Sequence, residues 1–233
     1  MGASTALAFS QEGAIVVIND LTHEQAKPTV ETIRRKGGTA VSIPGDVSQP
    51  GDVKRLIDDT LSHHKRIDVL FNNAGVLRST RVEKITLHEW EWVMRVNVTG
   101  VFLCTQAVLP TMKKQRYGRI INMSSSAGRS VSTLGGAHYT TSKAAVLGFS
   151  RAVAKEMAAY GITSNSICPG LIDTEMARKN CTTKQLKAYM KIFPIHRLGT
   201  PEEVAALTLF LASEDAGYIT GASIDINGGD LMI

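Results

Sequence analysis

The feature that most constrains this chain is an alternation. Short runs rich in β-branched residues recur between longer stretches with helical spacing, which calls for strand–helix–strand units about a parallel sheet. The runs are AIVVIND (14–20), AVSIPGDV (40–47), IDVLFNNAG (67–75), RIINMSSS (119–126), ITSNSICPG (162–170) and ASIDINGG (222–229). Helical patterns lie between them at 2–12, 22–36, 50–64, 86–115, 138–160 and 201–213. The first strands are apolar nearly throughout, as expected when helices cover both sheet faces. Residues 173–199 break the rhythm, with Met176, Met190, Phe193 and Pro194 set among lysines and threonines without a clean period. Such an insertion between a strand and the last helix is where a substrate lid can sit. No linker, repeat or low-complexity segment divides the chain, so 1–233 is expected to form one domain.

Composition narrows the function classes. A hydrophobic fraction of 43% with 20% charged residues describes a globular chain with a sizeable core. The 26 basic residues exceed the 21 acidic ones by five. They are scattered, as at Arg34–Lys36 and Lys113–Lys114, so solvated helix faces are expected rather than a nucleic-acid surface. Cys104, Cys168 and Cys181 form an odd set without paired spacing, which argues against a disulfide framework or a zinc site and for a reducing, cytoplasmic setting. No metal is expected. Glycosylation-like triplets at Asn97, Asn122 and Asn180 follow no secretory signal peptide and read as accidents; no apolar run is expected to span a bilayer.

The chemistry centres on HYTTSKAAV (138–146), where Tyr139 and Lys143 stand four apart and share a helix face. A lysine ammonium ~4 Å from a phenol, at an effective dielectric of ~20, offers ~4 kcal/mol to the phenolate, about three pK units. The tyrosine could then exchange a proton with an alcohol or carbonyl oxygen near neutral pH. By itself the pair is more often a chance feature of an exposed helix. Upstream, IINMSSSAG (120–128) places serines at the C-terminal end of an apolar strand, the edge where α/β sheets put ligands. A serine there can hold a substrate oxygen, or simply cap the next helix. FNNAG (71–75) ends a buried strand in small residues that admit close approach, and VNVTG (96–100) buries Asn97 in a long apolar helix. Asn97 either secures a helix kink or anchors an ordered water in a proton relay.

NNAG, N-V-T-G, S…Y-x-x-x-K and PG…T in this order resemble the short-chain dehydrogenase/reductase family, over essentially the whole chain from Gly2 to YITGASIDINGG. The resemblance implies a Rossmann-type doubly wound parallel sheet in an α/β/α sandwich, a nicotinamide cofactor, and hydride transfer between a carbonyl and its alcohol. Residue by residue, Tyr139 resembles the acid/base and a cofactor-binding residue, Lys143 its activator and binder of the nicotinamide ribose, and Asn97 the water anchor. Ser125 matches the family serine by strand register, while a spacing counted back from the tyrosine would favour Ser126. Asp20 ends the strand whose carboxylate takes the adenosine ribose hydroxyls, which favours NAD over NADP. Asp46 and Val47 resemble the adenine contacts, Asn73, Ala74 and Gly75 the pieces against the adenosine ribose, and Pro169, Gly170, Ile172 and Thr174 the loop over the nicotinamide amide. His138 is expected to be a loop or interface residue, with no carboxylate at useful spacing.

The pattern fails at its start. Family members carry a first strand ending in Thr-Gly-x-x-x-Gly-x-Gly, and here only its last glycine, Gly2, stands at the helix entrance. The first central strand is therefore missing from the expected sheet, which would leave its neighbours with unpaired edges and an apolar slot. Three expectations stay open: Met1 is internal to a longer chain (preferred, since the later motifs are intact), the short form is impaired, or the neighbours re-pair. GRIIN, AKEMAAYGITSN and RLGTPEEVA resemble 3-oxoacyl-thioester reductases, with sugars and small secondary alcohols open as substrates. The family implies a small-molecule alcohol or carbonyl substrate and a homo-oligomer, dimer or tetramer. The rival is a partner-binding scaffold with weak cofactor affinity.

Overall fold

Each β-branched run becomes a strand in the computed structural model, which describes residues 1–233. The strands are β1 (Ile15–Ile18), β2 (Thr39–Ser42), β3 (Val69–Asn72), β4 (Gly118–Met123), β5 (Ile162–Pro169) and β6 (Ser223–Ile226). The helices are α1 (Gly2–Gln11), α2 (His23–Arg35), α3 (Pro50–His64), α4 (Leu87–Met94), α5 (Gly100–Gln115), α6 (Ala137–Met157), α7 (Glu175–Asn180), α8 (Thr183–Ile192) and α9 (Pro201–Ala212). All strand pairs are parallel, giving the Rossmann-type α/β fold. Strands end earlier than their sequence runs because the terminal Asn, Asp and Gly residues already form the loops that carry chemistry.

The pairing does not run through. β1 pairs only with β2, and a second sheet runs β3-β4-β5-β6. The neighbours of the expected central strand therefore do not re-pair. Helix α1 bridges the two sheets instead. On one face, Ala6 and Leu7 of α1 pack with Val16, Ile18, Val30, Ile33 and Ala40, while Phe9 packs with Val69, Phe71, Ile121 and Ile167. On the other, Ile57 of α3 joins Val108 and Met112 of α5 and Ile120 of β4 in the largest core cluster. The consequence is graded burial: every residue of β4 and β5 is buried, whereas Ile15 is 55% exposed and Val16–Ile18 and Val69–Phe71 are only half-buried.

Two local expectations are corrected. The stretch 173–199 is not irregular: it holds α7 and α8, started by Thr174 and by a Thr182/Gln185 capping box. The six residues of α7 are too short to show a period, α8 is amphipathic, and caps start both. The helical run Leu87–Gln115 is, by length and composition, apolar enough to cross a membrane, contrary to the expectation of no such run. Its Val93, Val101, Cys104, Val108 and Met112 stripe is buried in the protein core. The run is also not one regular helix. A π-helical turn over Arg95–Thr99 joins α4 to α5 and accommodates Asn97, which is fully buried.

Candidate active site

Parallel strands deliver their carboxyl ends to one edge, and the loops there enclose a cleft with about 840 Å³ of empty space, its open mouth included. Asn73 and Gly75 come from the loop after β3, Ser125 from that after β4, and Pro169, Gly170, Ile172 and Thr174 from that after β5. Tyr139 and Lys143 enter from α6, and Met176 and Ala177 from α7. The structure thus brings together nine of the predicted site residues, and places them against apolar Leu77, Met123, Leu134 and Leu171.

Lys143 is 4% exposed, and its Nζ donates to Met123 O at 2.7 Å. Burial pulls its ammonium down to about 8. Nζ lies 5.8 Å from the centroid of the Tyr139 ring. Burial pushes the Tyr139 phenol up, and the opposing influence is a hydrogen bond with Ser125 rather than the Lys143 charge. Desolvation penalises phenolate and ammonium alike, so both groups are driven toward their neutral forms.

Ser125 and Ser126 both line the cleft, and Ser125 is the serine that acts on the phenol against its burial. Its Oγ also accepts from Ala127 N at 3.1 Å and donates to Pro169 O at 3.4 Å, so it caps the short 3-10 turn Ser126–Gly128 as well. Ser126 lines the same cleft from within that turn. The Asn97 amide is fully used: Oδ1 accepts from Val76 N at 2.8 Å, and Nδ2 donates to Val76 O at 2.9 Å and Ser142 Oγ at 3.0 Å. It joins the loop after β3 to α6. A Cβ on Gly75 would stand 3.4 Å from both Asn97 Oδ1 and Lys143 Nζ, so only a bare backbone fits comfortably between them.

Gly2, Asp20, Asp46, Val47 and Ala74 lie along the same edge but outside this cleft. Asp20, just past β1, is exposed; its Oδ1 accepts from Leu21 N at 2.9 Å. Asp46 uses Oδ1 to accept from Ser48 N at 2.8 Å, and Val47 packs on α5, where a Cβ on Gly100 would come within 2.9 Å of it. Ala74 is exposed beside Asn73. Gly2 opens α1 against the loop after β3: a Cβ there would sit 2.7 Å from Asn73 Nδ2. Thr174 accepts from Ala177 N at 3.2 Å as the cap of α7, and Ile172 bridges to Gly199, tying the two ends of the lid segment together.

Two features escaped the sequence reading. His138 is not a loop residue: it is fully buried in α6, and Nε2 lies 2.8 Å from Oε1 of Glu89. The carboxylate is 49 positions away, beyond any local spacing rule. Beneath the cleft, Asn122 binds Asn72, Ser150 and Ser164, all buried, and Asn72 donates to Thr105. Polar residues inside FNN, IINMS and ITSNS were the available signal, since buried amides need partners.

A parallel α/β sheet with a serine, a tyrosine and a lysine converging at its carboxyl edge defines an oxidoreductase-type site. A family model described as enoyl-(acyl carrier protein) reductase matches residues 1–230. The chain is similar to a 3-oxoacyl-[acyl-carrier-protein] reductase of Synechocystis sp., 42% identical over 236 residues, covering all of this chain and 93% of that one. It is similar to the (2S)-[(R)-hydroxy(phenyl)methyl]succinyl-CoA dehydrogenase subunit BbsD of Thauera aromatica, 38% identical, covering 98% of this chain and 91% of that one. A crystal structure of a 3-oxoacyl-[acyl-carrier protein] reductase with bound NAD from Brucella melitensis superposes with a TM-score of 0.92 at 34% identity, covering all of this chain and 87% of that one. The chain belongs to the short-chain dehydrogenase/reductase family, oxidoreductases acting on CH–OH groups.

Proposed function

We propose that this chain, as one domain over 1–233, reduces the ketone of a 3-oxoacyl thioester with NAD(H), preferring it to NADP(H). The observation that carries the proposal is the convergence of Ser125, Tyr139 and Lys143 in one cleft with an apolar flank. The residues present fit a nicotinamide dinucleotide. Gly2 and Gly75 leave bare backbone at the carboxyl edge, and the exposed Asp20 carboxylate suits ribose hydroxyls and repels a 2′-phosphate. Asp46 and Val47 would flank the adenine, Asn73 and Ala74 the adenosine ribose, Lys143 the nicotinamide ribose, and Pro169, Gly170, Ile172 and Thr174 the carboxamide. When bound, the nicotinamide supplies the hydride.

Tyr139, kept protonated by its burial, donates its proton to the substrate oxygen. Ser125 holds that oxygen, and Lys143 with Asn97 passes the replacement proton. A neutral phenol favours the reductive direction, because oxidation needs the phenolate first. Leu77, Leu134, Leu171 and Met176 would take the acyl chain, with α7 and α8 as its lid. A hydroxyl pair aimed at one oxygen suits a carbonyl better than the carbon–carbon double bond that the family model's description names. A homo-oligomer is part of the same proposal.

Titration with NADH, read by nicotinamide fluorescence, followed by addition of a 3-oxoacyl thioester, tests the proposal. Saturable binding, tighter for NADH than for NADPH, with thioester-dependent NADH consumption is expected. No saturable binding overturns it in favour of the partner-binding scaffold, which the unpaired edges of β1 and β3 would serve.

A further inference from the structure

Helix α6 begins without a side-chain cap. Its N-cap is Gly136, which offers nothing to the orphan amides of the first turn. The amide of Tyr139, third residue of the helix, instead meets two acceptors: Gly136 O at 3.0 Å and Nδ1 of His138 at 2.9 Å. A ring nitrogen that accepts carries no proton, so the imidazole proton belongs on Nε2. Nε2 points at Glu89 Oε1, 2.8 Å away on α4. The His138 side chain is fully shielded from solvent and Glu89 is held low by bonds from Thr80 and His138, so the carboxylate is ionised and ready to accept. The other main-chain group of Tyr139 is held in a similar way. Its carbonyl accepts from Ser142 Oγ at 2.7 Å, and that hydroxyl accepts from Asn97 Nδ2 at 3.0 Å.

We infer that Glu89 and His138 are a positioning pair for the Tyr139 phenol. Glu89 holds the imidazole in the tautomer whose Nδ1 caps the Tyr139 amide, and the cap sets where the tyrosine stands beside Ser125. Asn97 and Ser142 fix the opposite side of the same residue. Neither Glu89 nor His138 lines the cleft, so the pair works through the backbone of Tyr139 rather than on a substrate. Its kinetic consequence rests on the function proposed above; its structural consequence does not.

The test combines nitrogen-15 NMR of the histidine ring, hydrogen exchange at the Tyr139 amide, and steady-state kinetics on the full chain, with Glu89→Ala and Glu89→Gln. The wild type should show His138 protonated on Nε2 and a protected Tyr139 amide. Glu89→Ala should lose the single tautomer and speed exchange at Tyr139 about tenfold. It should lower kcat roughly tenfold through misplacement of the phenol. The KM for NADH should stay within about twofold. Glu89→Gln, whose amide oxygen accepts the same N–H, should restore all three. A ring protonated on Nδ1, or Tyr139 exchange indifferent to Glu89→Ala, overturns the inference. So does a joint loss of kcat and NADH affinity that Glu89→Gln fails to rescue. A wild-type chain without turnover defeats the proposed function alone, and the NMR arm still decides the pair.

Discussion

Replacing Lys143 by methionine should change how stability depends on pH more than any other single substitution in the cleft. The ammonium titrates at about 8 in the folded chain against 10.5 for a free lysine, and burial is the main cause. Between those values the unfolded chain holds a proton that the folded chain has lost, so stability rises with pH across the window. The cost is fully present below about pH 8 and gone above 10.5. That gap corresponds to roughly 3 kcal/mol. The bond to Met123 O at 2.7 Å is kept in either protonation state and, being stronger from the ammonium, offsets part of the burial cost. Urea unfolding of wild type and Lys143→Met at intervals from pH 7 to 10.5 isolates this group, because the other lysines and tyrosines contribute to both curves. Wild-type stability relative to the variant should climb by roughly 3 kcal/mol over the window. Parallel curves would refute the reasoning, since they would mean that the ammonium is not desolvated.

Other outcomes follow from the geometry. Gly2→Val drives a side chain into the Asn73 amide, so NADH affinity read by fluorescence should fall by about tenfold or more while the far-ultraviolet circular dichroism is kept. Arg129 donates to Asp225 Oδ2 at 2.8 Å in a mostly buried pair whose Oδ1 has no partner; Arg129→Met should cost about 2–3 kcal/mol at neutral pH in chemical denaturation. Burial already pushes the Asp225 carboxyl up, so that cost should shrink as acid neutralises it. A Val/Ile-rich strand of about six residues fused ahead of Met1 should raise stability by several kcal/mol, if it seats between β1 and β3 and covers their half-buried side chains. An unchanged denaturation midpoint would show that the gap between the sheets does not accept a strand.

The elements were legible because β-branched runs and helical spacing both persist over several residues, as in IVVI of β1 and the amphipathic α2. Tyr139, Lys143 and Ser125 were legible because a helix face and a strand end fix where they point. The lid helices were not, since α7 is too short for a period and the starts of both are set by the Thr174 and Thr182 caps. The tie between Glu89 and His138 was hidden by sequence distance. The phenol's upward shift was hidden for another reason: pair spacing shows which charges are close, but desolvation depends on everything packed around them. Whether the neighbours of the expected central strand re-pair was left open by the family pattern, and the pairing divides into two sheets instead.

The central claim is that Tyr139 transfers the proton while the rest of the cleft holds the cofactor. Tyr139→Phe removes one oxygen and leaves the other cofactor-binding residues in place. The account predicts a fall in kcat for 3-oxoacyl thioester reduction of about a hundredfold or more. NADH affinity by fluorescence titration should stay within about twofold of wild type. Turnover retained by Tyr139→Phe at the wild-type rate would contradict the account.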